Sequence, residues 1–290
     1  MIVVQFSNRD DCDDIYKRLQ THIENGKYDE VFHTSVKRLK RTLYITFNRD
    51  DITFQYVIQP MISQVFANYI IDTYELDWVE GILRDLFCYE DDKEIEAITT
   101  LFCLITEGKR EDLPNAKQLP SRIQVIEDAV HKLLEDSFKK ELSFSFDSFL
   151  QFRLKDYREC LVTYVEMAID EYKLEQDYQN FIDNLRSFLV RKQPLIDLIH
   201  VVYTDRPKFY DESFRMIRED QIQIAMKKTS FSQHSLIEPT VLKPLLTFAP
   251  KKIVLYTDHD LTGLFYTLKN IFQERLTFRS LKEAPDICLM

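Results

Sequence analysis

The sequence predicts an α+β protein with a large helical core in the middle and smaller α/β pieces at both ends. The central stretch, Asp147–Lys192, has no glycine or proline and repeats apolar residues every three or four positions, which indicates helix. Short apolar runs near both ends alternate or cluster as they do in strands. The chain has 290 residues, of which 45% are hydrophobic, so it can bury a large core.

The central stretch predicts one long helix or a broken pair of helices. Asp147 is expected to cap its start, and Pro194 to end it. A stripe this long needs partners on several sides, which places the segment inside the core. The stripe consists of Leu150, Leu154, Tyr157, Leu161, Tyr164 or Val165, Ala168 and Tyr172, and it resumes at Tyr178, Phe181, Ile182, Leu185, Phe188 and Leu189.

Residues 1–49 predict a small α/β unit. Asn25 and Gly26 supply a stop for its helix. The predicted elements are a strand at Ile2–Phe6, a helix at Arg9–Glu24, and strands at Glu30–Val36 and Thr42–Phe47.

Four cations lie around the turn between the last two strands: Lys37, Arg38, Lys40 and Arg41. They could form a phosphate-binding patch or simply the solvated end of a hairpin. The acidic balance of the whole chain favours the second interpretation.

Residues 50–193 predict the helical core. Asp50 and Asp51 can cap a helix that Pro60 kinks or restarts. After a loop at 108–120, Ser121 and Gln124 fit a capping box that opens a helix running through residue 142.

Residues 194–290 predict a C-terminal α/β region. A sheet shared with the N-terminal strands is one arrangement that this pattern allows. The predicted strands are Leu195–Tyr203, Phe209–Ile217, Ile222–Met226, Pro250–Thr257 and Leu276–Phe278, and the predicted helices are Leu236–Phe248 and Thr262–Gln273.

The composition of the chain argues against several classes of function. A net charge of −10 argues against a dominant nucleic-acid or anionic-membrane role. The uncharged window Ile52–Ile71 contains several amides and a proline, so we interpret it as a buried helix and not as a membrane span. The N-terminus lacks the pattern of a signal peptide.

The five cysteines are spaced singly, without C-x-x-C or metal-ligand spacing. They are Cys12, Cys88, Cys103, Cys160 and Cys288. We therefore expect reduced thiols in a cytoplasmic protein, with no metal site and no cofactor.

Three groups of polar residues are candidate sites. Asp258, His259 and Asp260 follow a predicted strand, and a metal there would need His200 or His234 as a further ligand. A polar loop is the interpretation that we favour.

The second cluster lies on the central helix, where Asp170 and Glu171 belong to an acidic run that also contains Glu166, Glu175 and Asp177. Paired carboxylates can perform acid–base chemistry or hold Mg²⁺. A solvated helix face is the simpler interpretation.

At the start of the same helix, Arg153 and Asp156 are three residues apart and can pair. The ring of Tyr157 is expected to be buried, with its hydroxyl near a polar partner. Arg153 either supports the helix or recognises a carboxylate or phosphate with its planar guanidinium.

Four segments resemble the YtxC-like family: FDSFLQFRLKDYRECL (Phe146–Leu161), Asp170–Leu189, Leu195–Tyr203 and LTFAPKKIVLY (Leu246–Tyr256). The resemblance covers residues 143–257. After Tyr203, this chain has DRPKFYDESF where the family pattern has a turn with glycine. Members are uncharacterised proteins of endospore-forming Firmicutes associated with sporulation, so the resemblance implies that setting and transfers no catalytic residue.

The leading hypothesis is a non-catalytic protein-interaction or regulatory factor for sporulation, with an unidentified protein partner. The alternative is a nucleotide- or metal-using enzyme with its site at the C-terminal strand ends near Asp258. Nucleic-acid binding through the basic turn is disfavoured by charge.

Overall fold

The computed structural model describes residues 1–26, 33–47, 53–110, 112–113, 119–135, 141–228, 240–258 and 263–285. The chain divides into two compact units, Met1–Lys173 and Leu174–Met290. Each unit contains a four-stranded sheet with helices, so the protein is α+β, as the sequence predicts. The three-part division at residues 49 and 193 stays a prediction about separately folding parts.

The sheet of the first unit has the strand order β2-β3-β1-β4. Strand β1 pairs antiparallel with β3 and parallel with β4, so Ile2 lies opposite both Ile45 and Leu142. Ile2 and Ile45 are completely buried, as the alternation of apolar residues predicts. The strands are β1 (Ile2–Gln5), β2 (Ser35–Leu39), β3 (Thr42–Thr46) and β4 (Leu142–Ser145).

Six of the described α-helices belong wholly or partly to this unit. They are α1 (Arg9–Asn25), α2 (Gln59–Gly81), α3 (Asp92–Thr106), α4 (Arg122–Leu134), α5 (Phe146–Phe152) and α6 (Lys155–Arg191). Pro60 lies in the first turn of α2, which follows a π-helical turn, Phe54–Ile58, without a break in the helical backbone. Asp50 and Asp51 lie outside the described residues.

The prediction that a helix continues through residue 142 is wrong. Helix α4 ends at Leu134, and Leu142 begins strand β4. Parallel pairing with β1, contributed by a distant part of the chain, outweighs the local apolar pattern. Ser121 is the N-cap of α4, but its side chain makes no capping hydrogen bond.

The described part of the uncharged window, residues 53–71, covers the π-helical turn and the first half of α2, and most of it is buried against the core. Met61, Val65, Phe66 and Ile70 are among its buried residues. No helix in the described part of the chain is both long and apolar enough to cross a membrane.

The central helix is a broken pair, α5 and α6, interrupted at Arg153 and Leu154. Ser145 caps α5 in place of Asp147, because its hydroxyl accepts the Ser148 N–H at 3.3 Å. The stripe from Leu154 to Ala168 is buried in the first unit, whereas residues 173–180 are all exposed. The boundary between the units falls within this exposed stretch.

The second unit has the strand order β6-β5-β7-β8, in which β5, β7 and β8 are parallel and β6 is an antiparallel edge. Its strands are β5 (Leu198–Tyr203), β6 (Pro207–Tyr210), β7 (Lys252–Tyr256) and β8 (Leu276–Arg279). Its further α-helices in the described residues are α7 (Glu219–Lys228), α8 (Leu242–Phe248) and α9 (Gly263–Phe272).

Three expectations for this region need correction. The N- and C-terminal strands do not share a sheet, because the described strands of each unit pair only with one another. The segment Ile222–Met226 is part of helix α7 and not a strand. The strand expected at Phe209–Ile217 ends at Tyr210, where a turn built on Asp211 reverses the chain.

Candidate functional site

Helix α2 carries a buried carboxylate, Glu75, whose side chain is 4% exposed. The Tyr157 hydroxyl of α6 donates to its Oε2 at 2.5 Å, and Arg122 of α4 forms an ion pair with its Oε1. We call these three residues the Glu75 cluster. The cluster joins α2, α4 and α6 through one carboxylate.

Burial controls the electrostatics of the Glu75 cluster. Loss of water raises the pKa of Glu75, although the Tyr157 hydrogen bond and the Arg122 charge act in the opposite direction. Burial and the nearby carboxylate also raise the pKa of Tyr157, which therefore stays protonated as a donor. A carboxylate with both oxygens occupied and almost no exposure supports the fold and has no access to a substrate.

A second buried carboxylate, Asp11, lies in the first turn of α1. The hydroxyls of Tyr69 and Tyr74 each donate to it at 2.7 Å, and the Asn8 amide adds a bond of 3.3 Å. Burial and these bonds to Asp11 raise the pKa of both tyrosines. Asp11 thus ties α1 to α2 and is also structural.

The opposite face of α2 is open and forms a groove with α3. We call it the α2–α3 groove, and its volume is about 450 Å³. Apolar atoms make up part of its lining, through the half-exposed Leu76, the buried Ile95 and the partly buried Cys103. The remaining lining residues are Asp77, Glu80, Arg84, Asp92, Glu96, Thr99 and Thr100.

Four carboxylates and one cation give the groove its acidic character. Arg84 donates to Glu80 at 2.9 Å and to Asp92 at 2.7 Å, so it bridges the two walls. These two bonds raise the pKa of Arg84. Asp77 and Glu96 are exposed and have no ion pair with any described residue.

Sequence reasoning missed this groove, although a signal for it exists. Leu76, Asp77 and Glu80 are neighbours on one face of a helix by their spacing. This signal is weak, because a single exposed leucine is common on protein surfaces, and the pairing of α2 with α3 is needed to make the face concave.

The predicted polar site at the start of the central helix is not a paired cluster. Arg153 lies in the break before α6, and Asp156 lies exposed in its first turn without an ion pair to Arg153. Of these three residues only Tyr157 is buried in the core, where Glu75 is its polar partner. A binding role for Arg153 stays a prediction.

The predicted acidic residues of α6 do not form a cluster either. Asp170 is exposed, whereas Glu171 accepts a hydrogen bond from Arg110 at 2.5 Å. Glu175 and Asp177 lie in the exposed stretch. This arrangement is that of a solvated face with one ion pair.

At the C-terminal strand ends, Asp258 accepts hydrogen bonds from the Ser280 hydroxyl at 2.8 Å and the Leu281 N–H at 3.0 Å. It thereby holds the start of a short 3₁₀ helix, Leu281–Glu283, whose N-cap is Ser280. His259, Asp260 and His234 lie outside the described residues. Among those described, no group of three or more His, Cys, Asp or Glu side chains is placed to hold a metal ion.

Two of the four cations of the basic turn make contacts within the fold. Arg38 forms an ion pair with Asp13 of α1, and Arg41 donates to the Ser7 carbonyl at 2.7 Å. The four described cysteines are free thiols, and Cys288 lies outside the described residues.

The chain is thus an α+β protein with an acidic groove between two helices. Its interior carboxylates Glu75 and Asp11 have every oxygen hydrogen-bonded or ion-paired. A family model for the YtxC-like family matches residues 60–277, and the chain belongs to that family. It is similar to "Uncharacterized protein YtxC" of Bacillus subtilis (strain 168), with 32% identity over 231 residues, covering 79% of this chain and 80% of that protein. No solved structure matches.

Proposed function

We propose that this protein is a non-catalytic protein-interaction factor and that the α2–α3 groove is its binding surface. The observation that carries the proposal is a groove of about 450 Å³ that combines an exposed leucine with an acidic rim. Apolar contact supplies affinity in such a surface, and charges on the rim supply selectivity.

The enzyme alternative receives less support. Glu75 and Asp11 have occupied oxygens and no exposed surface at which a substrate could react. Asp258, the described member of the predicted strand-end site, accepts hydrogen bonds from Ser280 and Leu281 at the start of a 3₁₀ helix. The acidic rim also disfavours nucleic acid, since phosphates would meet like charge.

We propose further that the interaction serves sporulation in the cytoplasm. The resemblance of the central helix and the LTFAPKKIVLY segment to the YtxC-like family supports the first part. Free thiols at Cys12, Cys88, Cys103 and Cys160 support a reducing compartment.

Site-specific photo-crosslinking in sporulating cells tests the proposal. Thr100 in the groove and Thr163 on α6 are matched positions, because both are exposed and each hydroxyl donates to the carbonyl four residues earlier. A photoreactive residue at Thr100, but not at Thr163, should capture one protein that also binds the purified chain. Identical products at the two positions, or no product at Thr100, would contradict the proposal.

A role in sporulation is tested separately by deleting the gene and counting heat-resistant spores. The yield should fall and should be restored by the wild-type chain, but not by a chain with Leu76→Asp and Ile95→Asp. These changes place charge on the apolar lining of the groove. Because Ile95 is buried, the single change Leu76→Asp is compared as well. A normal spore yield in the deletion strain would overturn the sporulation role.

A further inference from the structure

We infer that the α2–α3 groove binds a cationic amphipathic helix of a partner protein, and that Arg84 occupies the cation position until this helix arrives. The inference rests on the proposed function and adds two features to it. The first is the chemistry of the partner, and the second is an arginine of this chain that competes with the partner's cations. Each follows from the geometry of the groove.

The walls of the groove favour a helix over an extended segment. Both walls are helical, so their backbone N–H and C=O groups are already bonded within α2 and α3. No described strand lines the groove, and an extended peptide would find no edge to pair with. Recognition must therefore come from side chains, which a helix presents at i, i+3, i+4 and i+7.

The length of the groove fits the same conclusion. Along α3 the lining runs from Asp92 to Cys103, which is roughly 17 Å at the helical rise of about 1.5 Å per residue. Three turns of a partner helix cover this length. Leu76, whose side chain is half exposed, offers apolar contact to the inward face of such a helix.

The rim selects cations on the flanks of the partner. Four carboxylates face one guanidinium across the groove, an imbalance of three negative charges among the lining residues. Lysine or arginine side chains at the edges of an apolar helix face would neutralise Asp77 and Glu96, and would compete for Glu80 and Asp92.

Arg84 is the internal competitor. It bridges Glu80 and Asp92 in the same way as an incoming cation would. The side chains are 39% exposed for Arg84, 51% for Glu80 and 87% for Asp92, so water screens the pairs and their exchange costs little. A partner cation can therefore replace Arg84 without exposing an unpaired buried charge.

The test uses a fluorescent 18-residue peptide with leucines at helical spacing and lysines on the flanks, together with a counterpart that carries glutamates. Fluorescence anisotropy should show that the full-length chain binds the lysine peptide and not the glutamate peptide. The double change Glu80→Gln and Asp92→Asn should raise Kd roughly three- to twentyfold, the scale of two exposed charge pairs. The matched control, Glu24→Gln with Asp128→Asn, alters net charge equally outside the groove and should leave Kd unchanged.

Arg84→Ala distinguishes the competitor from an ordinary surface arginine. It should lower Kd roughly two- to fivefold, whereas Arg9→Ala, which makes the same change of charge on α1, should have no such effect. Equal effects of the two changes, or weaker binding by Arg84→Ala, would overturn the competitor role.

Peptide binding and crosslinking at Thr100 together separate the cationic-helix proposal from the proposed function. If the lysine peptide does not bind while crosslinking at Thr100 still captures one protein, the partner is not a cationic helix and the groove is still a binding surface. If neither occurs, both proposals are wrong.

Discussion

Helix α2 contributes the carboxylates of two carboxylate–guanidinium pairs, which lie little more than one turn apart and have different roles. Glu75 pairs with Arg122 inside the core, where its side chain is 4% exposed, and Glu80 pairs with Arg84 at the groove, where its side chain is 51% exposed. The groups are chemically the same. Burial makes the first pair costly to break and leaves the second free to exchange, so depth in the structure separates a structural charge from a recognition charge.

The largest expected effect comes from breaking the interior pair. Glu75→Ala leaves the Arg122 guanidinium and the Tyr157 hydroxyl without their buried partner. We expect a loss of roughly 3–5 kcal/mol in the free energy of unfolding, as is usual when one member of a buried pair is removed. Urea denaturation measures this loss, and a change below about 0.5 kcal/mol would show that the cluster is not structural.

Truncation of a buried apolar side chain in the same core shows how much stability is lost when no charge is involved. Leu161 lies one turn after Tyr157 on α6 and is completely buried, as the helical stripe predicts. Leu161→Ala should lower the free energy of unfolding by roughly 2–5 kcal/mol, through lost apolar contact and the cavity that remains. Leu174→Ala, on an exposed part of the same helix, is the matched control and should stay within about 0.5 kcal/mol.

The interior pair should also show a pH signature. Because the folded state raises the pKa of Glu75 above its ordinary value of 4.5, the folded chain keeps a proton that the unfolded chain has lost just above pH 4.5. The contribution of this group to stability therefore falls as pH rises through that interval.

Glu75→Gln removes the titration and keeps an acceptor for Tyr157. Urea unfolding from pH 4.5 upward should show wild-type stability declining relative to this variant. The opposite slope would mean that Arg122 outweighs burial and lowers the pKa of Glu75.

The smallest effect on stability is expected at the groove. Glu80→Gln with Asp92→Asn removes two exposed partners of Arg84 and should change the free energy of unfolding by less than about 1 kcal/mol. A loss as large as that of Glu75→Ala would erase the distinction between the two pairs. Thermal denaturation of both variants under one set of conditions makes the comparison direct.

The elements that could be predicted are those whose signal is local. Strand β1 and helix α1 follow their periodic patterns closely, and the buried stripe of α6 lies where the sequence places it. Strand β4 was missed because only its pairing with β1 defines it. The segment Ile222–Met226 is too short for its period to separate strand from helix.

The site was harder to predict than the fold. Tyr157 could be placed in the core with a polar partner, but Glu75 is 82 residues away from it in sequence, and Arg122 is 47 residues away from Glu75. No local pattern links residues at such separations. The groove likewise needs two helix faces to come together, which neither α2 nor α3 encodes alone.

The parallel pairing of β1 with β4 has a consequence for synthesis of the chain on the ribosome. Leu142 emerges about 140 residues after its partner Ile2, a delay on the order of ten seconds at ordinary rates of translation. Until then one hydrogen-bonding edge of β1 lacks the partner that it has in the finished fold, so the first unit cannot complete its sheet. Ribosome-bound chains stopped before residue 142 should be protease-sensitive, and chains stopped well beyond residue 173 should be resistant.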